Sequence, residues 1–306
     1  MPSPSARAAA LALALAAGCA AAPPPPRARL QLDRAPAALP NITVDGAALD
    51  ARALASAAAF LFPEQTRALV RELLRAEFAR REGQRLALEP DAATLEDSLA
   101  RALAGIQATM LADEDLEAWA LRVYGRSTAE VTAALRDQLA ENQLYQLVLR
   151  ADARAHGRAR VAMLVTTERE RAETWARQLA LGADPARMAA ESLERAPGGG
   201  PVVAPLALYL PPPLGEQMAR ARAGDVLGPA QLAGDSAWRV LRVIEVLPPE
   251  RTPPPVSVLL AELAAQPVGP LEARAWFEEM CRRYTAADRL PSLQAPGPAF
   301  LPLEPR

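Results

Sequence analysis

Hydrophobic spacing changes character once along this chain, near residue 157, and that change constrains the fold more than any other feature. Before it, apolar residues recur every three or four positions in long runs. After it, short strand-like runs alternate with helical ones and with glycine- and proline-rich turns. A helical unit followed by a mixed one is the pattern of an α+β chain with more than one folded part. With 306 residues, 51% of them hydrophobic and 23% charged, the chain is long and apolar enough to fold.

In the helical half, Asn41-Ile42-Thr43-Val44-Asp45-Gly46 reads as a short strand into a turn, and Ala47 to Phe60 takes helical spacing up to Pro63. Glu64 to Glu82 predicts a second helix, with Leu69, Leu73, Leu74 and Phe78 at helical intervals and Gly83 as its stop. Pro90 opens a third through Ala104, and Asp113 to Tyr124 forms a fourth closed by Gly125. Ser127-Thr128-Ala129-Glu130 is a capping box: the serine oxygen and the glutamate side chain each satisfy a free amide at a helix start. The helix it opens is expected to run to about Ala155. Ordinary core packing accounts for most of these Leu and Phe stripes.

In the mixed half, Arg160 to Val165 predicts a strand and Glu168 to Leu181 a helix ended by Gly182. Asp184-Pro185 opens a short helix through Ser192, a Gly198-Gly199-Gly200 loop follows, and Pro213 to Arg222 forms a further helix. Val226 to Leu232 and Trp238 to Val246 read as strands joined at Gly234-Asp235. A proline hinge at 248–255 leads to helical patterns over Val256 to Ala265 and Leu271 to Tyr284, then to a proline-rich tail from Leu290 to Arg306. Ala273, Phe277, Met280, Cys281 and Tyr284 share one face of the last helix, which makes Cys281 a buried small hydrophobe.

The extreme N-terminus has the form of a secretory signal: one positive charge in Met1 to Arg7, an Ala/Leu run from Ala8 to Ala17, then Leu15-Ala16-Ala17-Gly18-Cys19. This stretch resembles the bacterial lipobox, with Ala16 where leucine is usual, and the resemblance implies lipidation of Cys19. A plain signal peptide is the alternative. The apolar run is too short to span a bilayer, so acyl chains would anchor the protein. Residues 20–40, with Pro23-Pro24-Pro25-Pro26, make a semi-rigid spacer. The expected location is the periplasmic face of a bacterial membrane, the outer one by preference.

Formal net charge is -2 and every basic residue is arginine, which gives no nucleic-acid footprint. One histidine, His156, and two cysteines leave Ser-His-Asp, Cys-His and multi-histidine metal chemistry short of parts. No metal and no cofactor is expected. Gly198 to Gly200 lacks the Lys-Ser/Thr and helix start of a phosphate loop.

The strand-turn, the Arg-Glu-Leu-Leu helix and the Leu116-to-Ser127 segment with Trp119, Tyr124 and Gly125 together resemble the N-terminal domain of SurA-type periplasmic chaperones and related parvulin-like proteins. Across residues 158–246 the chain resembles the parvulin domain of peptidyl-prolyl isomerases. Ala180-Leu181-Gly182-Ala183-Asp184 matches its helix joint, with Pro185 in place of phenylalanine; Ala189 to Ser192 matches its short helix, and Gly199-Gly200 its paired glycines. Ala223 to Pro229 matches its turn, and Trp238 to Val243 its last strand.

The resemblance implies a mostly helical chaperone-like domain at 41–157, a parvulin-like domain with a small four-stranded sheet at 158–247, and C-terminal helices within 248–306 that return to the N-terminal domain. Loss of those helices is expected to destabilise the helical unit and spare the parvulin-like part. The family's two histidine positions fall on Ala162 and Arg239, and its Cys/Asp position on Glu194. Leu210 and Leu214 take the place of the Met and Phe that wall the proline pocket, and Trp238 is counted with them as a substrate contact. An arginine aimed into that pocket is an unpaired charge and costs several kcal/mol if desolvated. The function so implied is a membrane-tethered chaperone-like lipoprotein that binds unfolded exported chains and carries a catalytically inert parvulin domain. The alternatives are an active isomerase and a structural adaptor for one envelope partner.

Overall fold

The computed structural model describes residues 55–111 and 113–284, together with the backbone of 43–44, 47–48 and 51–54. The signal segment, Cys19, the proline spacer and the proline-rich tail lie outside these residues. Thr43–Val44 (β1) and Ala47–Ala48 (β2) pair antiparallel, so Ala47 belongs to a strand and the first helix, α1, spans Ala51–Leu61.

Helix α2, Pro63–Leu86, starts on a proline, whose missing amide would be unsatisfied there anyway. It runs past Gly83 and ends at Ala87, a C-cap in the left-handed conformation at φ 52°. Gly83 is therefore a packing residue: a Cβ there would lie 2.9 Å from a methyl of Leu144 on the facing helix. Ala92–Thr109 (α3) is capped by Asp91, which accepts from the Thr94 amide at 2.9 Å. Leu116–Tyr124 (α4) is capped by Asp115 and ends on Gly125 at φ 65°. The Ser127/Glu130 capping box then opens the 29-residue helix α5, Thr128–His156, which is buried over residues 147–153.

Gly157, at φ 85°, turns α5 directly into the sheet. Four antiparallel strands lie in the order β4-β3-β6-β5: Arg158–Thr166 (β3), Val202–Ala207 (β4), Val226–Gln231 (β5) and Trp238–Leu247 (β6). Between them come α6 (Arg169–Ala180), α7 (Ala186–Ala189) and α8 (Leu214–Met218). Successive side chains on a strand point to opposite faces. Val161, Met163 and Val165 pack with Leu241 and Val243 against Leu210, Leu214 and Met218 on one face. Leu164 and Val240 pack against Trp175, Leu179 and Met188 of α6 and α7 on the other.

Val256–Ala265 (α9) and Pro270–Arg283 (α10) close the described chain. They return to the helical unit: Leu259, Leu263, Ala273, Trp276 and Met280 share a core with Leu74 and Phe78 of α2 and Tyr145 and Val148 of α5. Cys281 is half-buried against this core. One expectation needs correction here. Leu271 and Ala275, also on α10, are buried in the first-face core of the sheet. A helix in water between two apolar surfaces can bury two stripes, and α10 does so. Its loss would therefore touch the sheet as well as the helical unit.

Candidate functional site

The residues that the parvulin resemblance singles out converge only in part. Their centre is Arg239, second residue of β6, with Val165 of β3 and Ala230 of β5 as its neighbours across the sheet. Val165 is apolar and in the first-face core, so Arg239 projects toward the same side as Leu210 and Leu214. The guanidinium is almost fully buried, yet it is paired: Nη1 donates to Asp235 Oδ2 at 2.5 Å. Asp235 sits in the turn before β6 and also accepts from the Ala237 amide at 2.9 Å. Burial opposes ionisation of that carboxyl, but the Ala237 amide and the Arg239 charge outweigh it and hold Asp235 below the usual carboxylate range. The unpaired charge expected from sequence is therefore a buried ion pair. Asp235 was invisible in the resemblance because it lies four residues before Arg239 in a turn.

Glu194 joins this group through a local stitch. After α7 the chain docks on the end of β3: the Leu193 amide donates to the Val165 carbonyl at 2.8 Å. The Val165 amide donates to Ser192 Oγ at 3.0 Å, and that hydroxyl donates to the Glu194 carbonyl at 2.8 Å. Burial raises the Glu194 carboxyl; Arg239 pulls it down and Asp235 pushes it up. Two carboxylates and one arginine, whose Nε has no hydrogen-bond partner, thus occupy the head of the sheet. Such a group can hold a turn in place and set a local field. It offers no neutral nitrogen that both donates and accepts.

Ala162 and Trp238 stand apart from this group. Ala162 pairs with Arg242 and Val203, three positions along β3 from Val165 and so on the opposite face. The Ala162 and Arg239 positions therefore do not face each other. Trp238 pairs with Thr166 and packs on the α6/α7 side, where the Arg169 guanidinium lies 5.5 Å from its ring centre. It is not beside Leu210 and Leu214. His156 ends α5, its Nδ1 2.9 Å from the Asp152 carbonyl and its ring edge-on to Tyr209; neither partner belongs to the Arg239 group.

Leu210 and Leu214 are 3% and 0% exposed, so the surface they would offer a proline ring is filled by protein. A cleft of about 660 Å³ does open on the opposite side, between α6 and α7, over Trp175 and Met188 and rimmed by Arg171, Arg187 and Glu191. Among the described residues no three His, Cys, Asp or Glu side chains gather as a metal site would require.

Residues 150–256 match the PPIC-type PPIASE domain. The solved structures similar to the chain include the foldase protein PrsA of Streptococcus pneumoniae, at 12% identity over 83% of this chain and 96% of that one, with a TM-score of 0.34. The peptidylprolyl isomerase PrsA of Bacillus anthracis is similar at 10% identity over 71% and 98%, with a TM-score of 0.29. No curated protein matches the chain.

Proposed function

We propose that this chain, whose residues 150–256 match the PPIC-type PPIASE domain, holds unfolded polypeptides on its helical unit and does not isomerise them. The observation that carries the reading is the Arg239–Asp235 pair at the head of the sheet. A twisted prolyl amide is favoured by an apolar, water-free wall and well-placed neutral donors. Here the head is charged and the walls Leu210 and Leu214 are buried.

Polypeptide binding is supported elsewhere. Phe60, Leu61 and Phe62 at the α1–α2 joint, with Leu69 and Leu73 on α2, are all more than half exposed, Phe60 at 85%. Large apolar side chains grouped in water mark interaction surfaces. Lipidation at Cys19 would place this surface at the periplasmic face of a membrane, within reach of chains emerging unfolded. The purified chain is expected to suppress aggregation of several unrelated unfolded proteins, and Phe60→Ser with Phe62→Ser to weaken that effect severalfold. Protection of one dedicated partner alone would contradict this and favour an adaptor.

A further inference from the structure

The sheet face that carries Leu210 and Leu214 is completed by residues from outside the matched domain. That domain ends at residue 256, yet Leu271 and Ala275 of α10 are buried, at 3% and 1% exposure, in the cluster containing Leu206, Leu210, Leu214 and Met218. They lie four residues apart, so one stripe of α10 faces the sheet. Between them Arg274 donates to the Ala233 carbonyl at 3.0 Å, in the turn that also carries Asp235. Its charge is among those holding the Asp235 carboxyl down. Helix α10 thus runs along the rim of the Arg239 group.

The same helix is gripped from its other side. Arg150 of α5 pairs with Glu272 at 2.8 Å, both almost fully buried, and donates to the Gln266 carbonyl at 2.7 Å. Trp276 and Met280 are buried in the helical core. The helical unit therefore presents α10 to the sheet as a fixed object.

We infer that α10 is a built-in occupant of the domain's prolyl-binding face: Leu271 and Ala275 fill the apolar cleft floored by Leu210 and Leu214. An extended polypeptide bearing an aliphatic residue beside proline takes that place only when α10 yields it. This rests on the reading of Leu210 and Leu214 as the walls of that face. It adds that the face is closed in cis, by a helix that also ties the two cores together.

The test uses the full chain and a fluorescein-labelled Ala-Leu-Pro-Ala peptide, with binding followed by anisotropy. Leu271→Ala empties the cleft and is expected to bind the peptide at least tenfold more tightly than the wild type. Leu121→Ala, at an exposed position of α4 away from α10, should stay at the wild-type level. In the wild type, millimolar peptide should speed hydrogen exchange over residues 271–276 and slow it over 210–218. Binding by Leu271→Ala within twofold of wild type overturns the inference. Should that variant not fold, unchanged wild-type exchange overturns it. Turnover is read separately: a Leu271→Ala chain that binds and also accelerates isomerisation upholds the closed face and defeats the inert reading, whereas binding without turnover upholds both.

Discussion

The two cores of this molecule are built from different chemistry. The sheet's first-face core is aliphatic: alanines, valines, leucines and methionines of four strands and α8, with Tyr209 half-buried against it, while Trp175 is buried on the opposite face. The helical core is aromatic and charged. Trp276 stands edge-on to Tyr145 and Phe78, with ring centres 5.2 and 6.5 Å apart, and Tyr284 stacks on Phe78. Around them Glu82, Asp152, Arg150 and Glu272 are buried as ion pairs, with Arg283 bridging Glu82 and Asp152 at 3.0 Å each. The sheet core is assembled from the strands and α8 within residues 158–247, with two side chains added by α10. The helical core depends on contacts spanning as many as 202 residues, such as Tyr284 to Glu82. Losing the C-terminal helices would cost the sheet two aliphatic side chains and the helical unit its centre.

The largest effect that sharpens this contrast comes from Trp276→Ala, which empties the middle of the helical core. It should destabilise that unit by about 3–5 kcal/mol, read as an early transition in urea followed by a later one for the sheet. Loss of both units together would break the contrast and show that α10 couples the cores into one cooperative unit.

A smaller loss, about 3 kcal/mol, is expected from Asp235→Ala, which leaves the buried Arg239 without its partner. Arg239→Met, which removes the charge and keeps apolar volume, should cost less. If Arg239→Met is the more damaging of the two, the pair contributes more than it costs to bury.

The smallest effect is a change of slope. Burial pushes the Glu272 carboxyl up to about 7 against the opposing pull of Arg150 and Arg158, with Glu262 adding to the rise. The folded state then holds this proton more tightly than the unfolded chain, whose carboxyl titrates near 4.5. Its contribution to stability is fully present below about pH 4.5 and is lost as pH rises toward 7. Glu272→Gln should abolish that loss, so the stability of wild type relative to the variant falls across this window. A flat difference curve from pH 4.5 to 7 would contradict it.

Much of the fold was legible in the sequence because its signals are local. The Ser127/Glu130 box and Gly125 each act within one helical turn, and the structure uses both as the sequence implies. Gly83 misled because a helix stop and a close helix crossing both call for glycine, and the deciding Leu144 methyl is 61 residues away. The site was legible only by position. Sequence spacing gives a residue's place in a strand, but the pairing that brings strands together is set by the fold. Val165 lies opposite Arg239, so by alternation Ala162, three residues from Val165, and Trp238, next to Arg239, lie on the face away from Leu210 and Leu214. The second stripe of α10 was hidden for a related reason: periodicity shows that Leu271 is apolar, but not which core it enters.

A domain that matches the PPIC-type PPIASE model yet has a charged head and a closed face should not isomerise proline. The most direct test is the cis/trans relaxation of a short X-Pro peptide in the presence of the purified full chain. The relaxation should stay at the uncatalysed time of tens to hundreds of seconds. Acceleration that scales with protein concentration and disappears in Glu194→Gln or Leu214→Asp would contradict the claim.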